Sequence, residues 1–115
     1  MKLAEHLLID IICNNDILNS LEKLEKISKK LIKICNLTEL SKLNHKFKPH
    51  GLTLISLLSE SHISIHTWPE NKSICIDIFS CKNNLDVEKI KKILSEYFVI
   101  NMISIHKIDR EISKL

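Results

Sequence analysis

The sequence predicts an α+β fold, a two-layer sandwich in which a mostly antiparallel sheet carries two helices on one face. Three observations predict it. Residues 62 to 67 and 74 to 81 alternate between apolar and polar side chains, the period of a half-buried strand. Two other stretches, starting near Ile17 and just after Asn84, space their apolar residues three and four apart, the period of an amphipathic helix. The order strand, helix, several strands, helix, strand has no linker and no short repeat, and 115 residues suit one domain, spanning 1–115.

The first strand is residues 3 to 13, with Leu3, Leu7, Ile9, Ile11 and Cys13 on one side and His6 and Asp10 on the other. Asn14, Asn15 and Asp16 break it. From Ile17 the apolar positions become Leu21, Leu24, Ile27, Leu31 and Ile34, so a helix runs to about Asn36 with Asn15 or Asp16 as N-cap. A polar strand follows through Lys48, Pro49-His50-Gly51 makes a turn, and Leu52 to Ser59 reads as a buried strand. Next, His62, Ser64 and His66 oppose Ile63, Ile65 and Thr67, and Trp68-Pro69-Glu70-Asn71 closes that strand. Ile74, Ile76 and Ile78 then oppose Cys75, Asp77, Phe79 and Cys81. The second helix starts after Asn83-Asn84, with Asp86 and Glu88 in its first turn, where they favour the helix dipole, and a buried stripe of Ile90, Ile93, Leu94 and Tyr97. A last strand runs from about Phe98 to Ile108. Helices on one face leave the other face of the sheet to be covered, and a second copy of the chain is the simplest cover, so a homodimer paired through the sheets is expected.

Composition removes several classes of function. Hydrophobic residues are 44% and charged residues 27%, a globular balance rather than a disordered one. No apolar run approaches the ~18 residues of a membrane span, and Glu5, His6 and Asp10 interrupt the start where a signal peptide is apolar. A soluble, cytoplasmic protein is expected. The net charge of +3 is spread over Lys23, Lys26, Lys29, Lys30 and Lys33, interleaved with Glu22 and Glu25 as on a solvated helix face. Nucleic-acid binding calls for a concentrated basic stripe with arginine forks or stacking aromatics. Arg110 is the single arginine and aromatics are 4%, so no nucleic-acid partner is expected. Cys13, Cys35, Cys75 and Cys81 show no CxxC spacing, which argues against a zinc ribbon or a disulfide scaffold.

The segment from Ser59 to Glu70 stands apart because it puts hydroxyls, imidazoles and carboxylates into the middle of an apolar sheet, where polar groups are costly without partners. Metal binding by His62 and His66 fails on reach: four residues of strand span ~13 Å, too far to share one ion. Nucleophilic catalysis by Cys81 or Ser61 with His66 and an orienting carboxylate is a second reading. The plain alternative is that Ser61 and the histidines lie at a solvated sheet edge and that Cys81 is an ordinary buried cysteine.

A resemblance decides among them. Phe47-Lys48-Pro49-His50-Gly51-Leu52-Thr53, the block from Leu58 to Glu70 containing Glu60-Ser61-His62 and His66-Thr67-Trp68-Pro69-Glu70, and Asp77-Ile78-Phe79-Ser80-Cys81 together resemble the small prokaryotic class of S-adenosylmethionine decarboxylase. Order of elements and length fit along essentially the whole chain. The resemblance implies a proenzyme that cuts itself between Glu60 and Ser61, giving residues 1–60 as the β chain and 61–115 as the α chain, with Ser61 converted into a pyruvoyl group. No exogenous cofactor is then needed. In that chemistry the serine oxygen attacks the Glu60 carbonyl, an ester forms, loss of the Ser61 α-proton expels the Glu60 carboxylate, and hydrolysis leaves a ketone at the new N-terminus.

The same resemblance assigns roles. His66, whose reference pKa of ~6.5 suits proton transfer at neutral pH, takes part in processing and catalysis. Thr53 hydrogen-bonds the tetrahedral intermediate. The ketone forms a Schiff base with the substrate amine, and loss of CO₂ pushes electrons into the adjacent amide carbonyl. Cys81, a thiol with a reference pKa of ~8.5, returns the proton. Phe47 is a candidate for stacking on adenine and Glu70 for the ribose hydroxyls, with Trp68 in the binding region or structural at the strand end. The chain departs from the family pattern at Asn71-Lys72-Ser73, where Gly and Tyr are common, at Lys82, where Gly is common, and at Ala4-Glu5, where Gly-Arg is common. These departures leave ornithine or arginine as alternative substrates, and an inactive homologue acting as a binding module as a third reading.

Overall fold

The computed structural model describes residues 1–13, 16–82 and 84–112. Strands β1 (Lys2–Cys13), β2 (Glu39–Lys46), β3 (Leu52–Leu58), β4 (Ser61–Trp68), β5 (Ser73–Ser80) and β6 (Ile100–Glu111) form one six-stranded sheet in the order β2-β3-β4-β5-β1-β6. Each neighbouring pair is antiparallel. Helices α1 (Leu21–Ile34) and α2 (Val87–Tyr97) pack together, α1 also against β3 and β4, which gives the expected two-layer α+β sandwich.

The alternation that predicts β4 and β5 has its counterpart in burial. Ile63, Ile65, Ile74, Ile76 and Ile78 are at most 1% exposed and share one core with Leu24, Ile27 and Leu31 of α1 and Ile90 and Leu94 of α2. Ile93 and Tyr97, expected in the same stripe, are only partly buried at its margin. A buried hydrogen bond between Ser28 and Ser56 and an ion pair between Lys42 and Glu25 tie α1 to the β2–β3 side of the sheet.

Several boundaries differ from the sequence expectation, each for a local reason. Leu3 is 45% exposed because the β1–β6 pairing shifts register between Lys2 and Ala4, and one extra residue reverses the alternation before it. Asp16 does not cap α1. Residues Asp16–Asn19 form a 3₁₀ turn that buries Ile17 and Leu18, and Ser20 Oγ instead accepts the Lys23 N–H at 3.3 Å. Asn14, Asn15 and Asn83 lie outside the described residues. At the other end of α1, Asn36 adopts φ 56° while the Leu37 N–H donates to the Ile32 carbonyl at 3.0 Å, a Schellman close. Asp86 caps α2 through the Lys89 N–H. Phe98, read as the first residue of the last strand, caps the C-terminus of α2 and is buried in the core, so β6 starts at Ile100. Strand β2 stops at Lys46, and β5 stops at Ser80, which leaves Cys81 exposed on the following loop rather than on a strand face.

The face of the sheet away from the helices is a mixture. His6, Phe79 and His62 lie side by side across β1, β5 and β4, with His62 stacked on Phe79 at 5.3 Å between centroids. Around them Leu43, Ile55, Leu57 and Met102 are exposed. No described helix is long and apolar enough to cross a membrane.

Candidate active site

Strand β4 carries candidate site residues at both ends, because Ser61 opens it and His66 and Trp68 close it. At the first end, Ser59 and Glu60 join β3 to β4 in a two-residue turn, with Leu58 and Ser61 paired across it. Hairpins of this length favour glycine or asparagine where φ is positive. Here Glu60 holds φ 59°, a left-handed conformation that costs a non-glycine residue roughly 1 kcal/mol or more. The strained residue is the one whose carbonyl begins the Glu60–Ser61 peptide bond.

Two groups of Cys81 meet that bond. The Cys81 thiol donates to the Glu60 carbonyl oxygen at 2.6 Å, and the Cys81 N–H donates to Ser61 Oγ at 3.3 Å. Ser61 is 6% exposed, whereas Cys81 is open to solvent. With Leu37, Thr38, Ser59 and Lys82 they line a cavity of about 170 Å³. The Lys82 ammonium, on the residue next to Cys81, donates to the Asn36 carbonyl at 2.5 Å, where it also meets the negative end of α1.

At the second end, Thr53 and His66 are cross-strand partners, and Thr53 Oγ1 lies 3.0 Å from His66 Nδ1. Phe47, His50, Trp68 and Glu70 join them around a cavity of about 290 Å³. The Glu70 carboxylate is paired with the His50 imidazole. Phe47 is 51% exposed and makes an edge contact with His45 at 4.6 Å between centroids. The turn that presents Phe47 and His50 is pinned from beneath. Gly51 N–H donates to Asn19 Oδ1 at 2.9 Å, and Thr67 Oγ1 accepts from Leu52 N–H at 2.9 Å while donating to the Leu18 carbonyl at 2.8 Å. Gly51 is required there: its φ is +104°, and a Cβ would stand 3.2 Å from the Thr67 carbonyl oxygen.

The candidate residues therefore fall into two sets. Ser61, Cys81 and Glu60 are together; His66, Thr53, Phe47, Trp68 and Glu70 are together. Five residues of extended chain, roughly 16 Å, separate Ser61 from His66, and their side chains leave opposite faces of β4. His50, Asn19 and Thr67 were not singled out as site residues from the sequence; only the Pro49-His50-Gly51 turn signal touched the first. Of the other thiols, burial pushes Cys35 up to about 11, and burial and then Asp10 push Cys75 up to about 11. Among the described residues no group of three or more His, Cys, Asp and Glu could hold a metal ion.

A hydroxyl that receives the Cys81 N–H, and a thiol set on the carbonyl of a left-handed residue, stand on either side of one peptide bond, an arrangement that suits an enzyme that processes itself. The chain belongs to the S-adenosylmethionine decarboxylase family, whose model matches residues 5–111. A relative named S-adenosylmethionine decarboxylase proenzyme from Clostridium botulinum (strain Loch Maree / Type A3) is 42% identical over 106 residues, covering 91% of each chain. One of the same name from Methanococcus maripaludis (strain C5 / ATCC BAA-1333) is 40% identical over 81 residues, covering 70% of this chain and 66% of that one. The crystal structure of the adenosylmethionine decarboxylase from Aquifex aeolicus VF5 superposes with a TM-score of 0.84 at 28% identity, covering 98% of this chain and 94% of the other.

Proposed function

We propose that the chain is a self-cleaving, pyruvoyl-dependent decarboxylase of S-adenosylmethionine, supplying the aminopropyl donor for spermidine synthesis. It is cut between Glu60 and Ser61 and works as a homodimer of processed protomers paired through the open faces of their sheets. The observation that carries this reading is the contact of the Cys81 thiol with the Glu60 carbonyl oxygen, beside Ser61 and on a left-handed residue.

The residues present fit the making of a pyruvoyl group from Ser61. Attack of Ser61 Oγ on the Glu60 carbonyl carbon moves negative charge onto the carbonyl oxygen, and the Cys81 S–H already points at that oxygen, as an oxyanion donor must. Breaking the Glu60–Ser61 peptide bond also releases the left-handed strain at Glu60. A base must then remove the Ser61 α-proton so that the Glu60 carboxylate leaves, and His66, held by Thr53, is the base. Hydrolysis releases ammonia and completes the new N-terminus.

A pyruvoyl group at position 61 would supply an electron sink for the pair that the substrate gives up with its CO₂. Cys81 returns a proton to the substrate carbon. Phe47 offers a ring for adenine, Glu70 a carboxylate for the ribose hydroxyls with His50 holding it in place, and Trp68 a second apolar wall.

The distance between the two residue sets supports dimerisation. Strand β4 lies near the middle of the sheet. A two-fold axis near Ser64, perpendicular to the strands, sets the Ser61 end of one copy against the His66 end of the other and covers the exposed apolar residues of both open faces. Two complete sites result. The substrate assignment is tested by release of labelled CO₂: it is expected from S-adenosylmethionine and not from ornithine or arginine, and the opposite preference would overturn it.

A further inference from the structure

Glu5 is a buried charge outside both residue sets. Its side chain is 0% exposed, a position in which an ion is costly unless every oxygen is paired. It is paired. Oε2 accepts from Lys2 Nζ at 2.5 Å and from the Asn84 N–H at 3.1 Å, while Oε1 accepts from the Leu85 N–H at 2.8 Å and lies 3.3 Å from Lys107 Nζ. Burial pushes the carboxyl up, but Lys2, the two backbone N–H groups and Lys107 outweigh it and bring the group down to about 2. Glu5 is an anion across the neutral range.

The two backbone donors belong to the loop that leaves β5 after Ser80 and enters α2 at Val87, and this loop carries Cys81. Outside a strand or helix its N–H groups have no ladder and need partners from elsewhere. Glu5 serves Asn84 and Leu85. Its cross-strand neighbour Ser80, also 0% exposed, serves Lys82: Ser80 Oγ accepts the Lys82 N–H at 3.0 Å and donates to the Lys82 carbonyl at 3.2 Å. Cys81 is exposed, so packing does not fix it. The loop backbone does.

Building on the self-cleavage reading above, we infer that Glu5 and Ser80 form a clamp of positioning residues that holds the Cys81 thiol against the Glu60 carbonyl oxygen. Neither side chain hydrogen-bonds to Glu60 or Ser61, although Ser80 pairs with Ser61 across the β4–β5 ladder. They act through Cys81, whose thiol must stay within hydrogen-bond reach of one oxygen, and small displacements of such a donor are expensive in rate.

The test is a double-mutant cycle read as the rate at which the full 115-residue chain becomes two fragments, followed by mass spectrometry on wild type, Glu5→Gln, Cys81→Ala and the double variant. Glu5→Gln is expected to slow cleavage about tenfold, a part of the roughly hundredfold that losing one oxyanion donor outright costs. In the Cys81→Ala background the same substitution is expected to change the rate less than about twofold, because the group it positions is gone. Equal slowing in both backgrounds, or no slowing in either, would overturn the clamp. If Glu5→Gln does not fold, Ser80→Ala runs the same cycle on the other half of the clamp, with the same coupling expected and its absence decisive. Failure of the wild-type chain to cut at all would instead refute the self-cleavage reading.

Discussion

If Ser61 and His66 of one site come from different copies, two dead variants make one live site. Ser61→Ala removes the nucleophile, and His66→Ala removes the base that lets the Glu60 carboxylate leave. Along one chain the two positions are roughly 16 Å apart, several times the reach of a hydrogen bond, so His66 of the same copy cannot serve Ser61. In a heterodimer of the two variants, one site combines Ser61 of the His66→Ala chain with the partner subunit's His66, and the other site has neither. Each variant alone is expected to keep its chain free of the pyruvoyl-blocked 61–115 fragment. Co-expressed with different affinity tags and purified through both, the heterodimer is expected to show that fragment from the His66→Ala chains alone, about half of all chains in the pair. Mass spectrometry assigns each fragment to its parent through the tag. Absence of the blocked fragment from the purified heterodimer would refute action across the dimer, as would cleavage of His66→Ala at the wild-type rate on its own.

Removing the thiol from the Glu60 carbonyl, as Cys81→Ala, is expected to slow self-cleavage about a hundredfold, the usual cost of one oxyanion donor, and to impair turnover of whatever cleaved enzyme forms; wild-type rates for both steps would exclude Cys81 from both. Glu5 also sets an acid limit. Its carboxyl stands at about 2 in the folded chain against 4.5 as its ordinary value, so its stabilisation is complete above about pH 4.5 and is lost as pH falls through about 2. That lowering corresponds to roughly 3 kcal/mol. Urea melts across that window are expected to show the acid loss in the uncleavable Ser61→Ala chain and a flatter profile once Glu5→Gln is added; parallel profiles would contradict it.

The parts of the fold legible in the sequence are those set by local period. Strands β4 and β5 follow from alternation of isoleucine with polar residues, since one face is buried by the helices and a slip of one residue would expose it. Leu3 misled because a bulge against β6, a partner about 100 residues away, is invisible locally. Asp16 misled because it is as good a capping residue as Ser20, and only the buried Ile17 and Leu18 decide which one caps. Within the site, the block from Ser59 to Glu70 reads as one motif, yet an extended strand carries its two ends to opposite edges of the sheet. Contiguity in sequence concealed that Ser61 and His66 cannot meet in one copy. The contact of Cys81 with Glu60, the pairing of His50 with Glu70 and the burial of Glu5 all join residues 20 or more apart in the chain, and no local pattern announces them.

The most direct measurement is the intact mass of the purified wild-type protein beside Ser61→Ala. Wild type is expected as two pieces, residues 1–60 with a free carboxyl at Glu60 and residues 61–115 beginning with a pyruvoyl group and therefore closed to Edman degradation, while Ser61→Ala remains one chain. Wild-type protein that stays a single unmodified chain after long incubation, or that splits to give a 61–115 fragment still starting with serine, would contradict it.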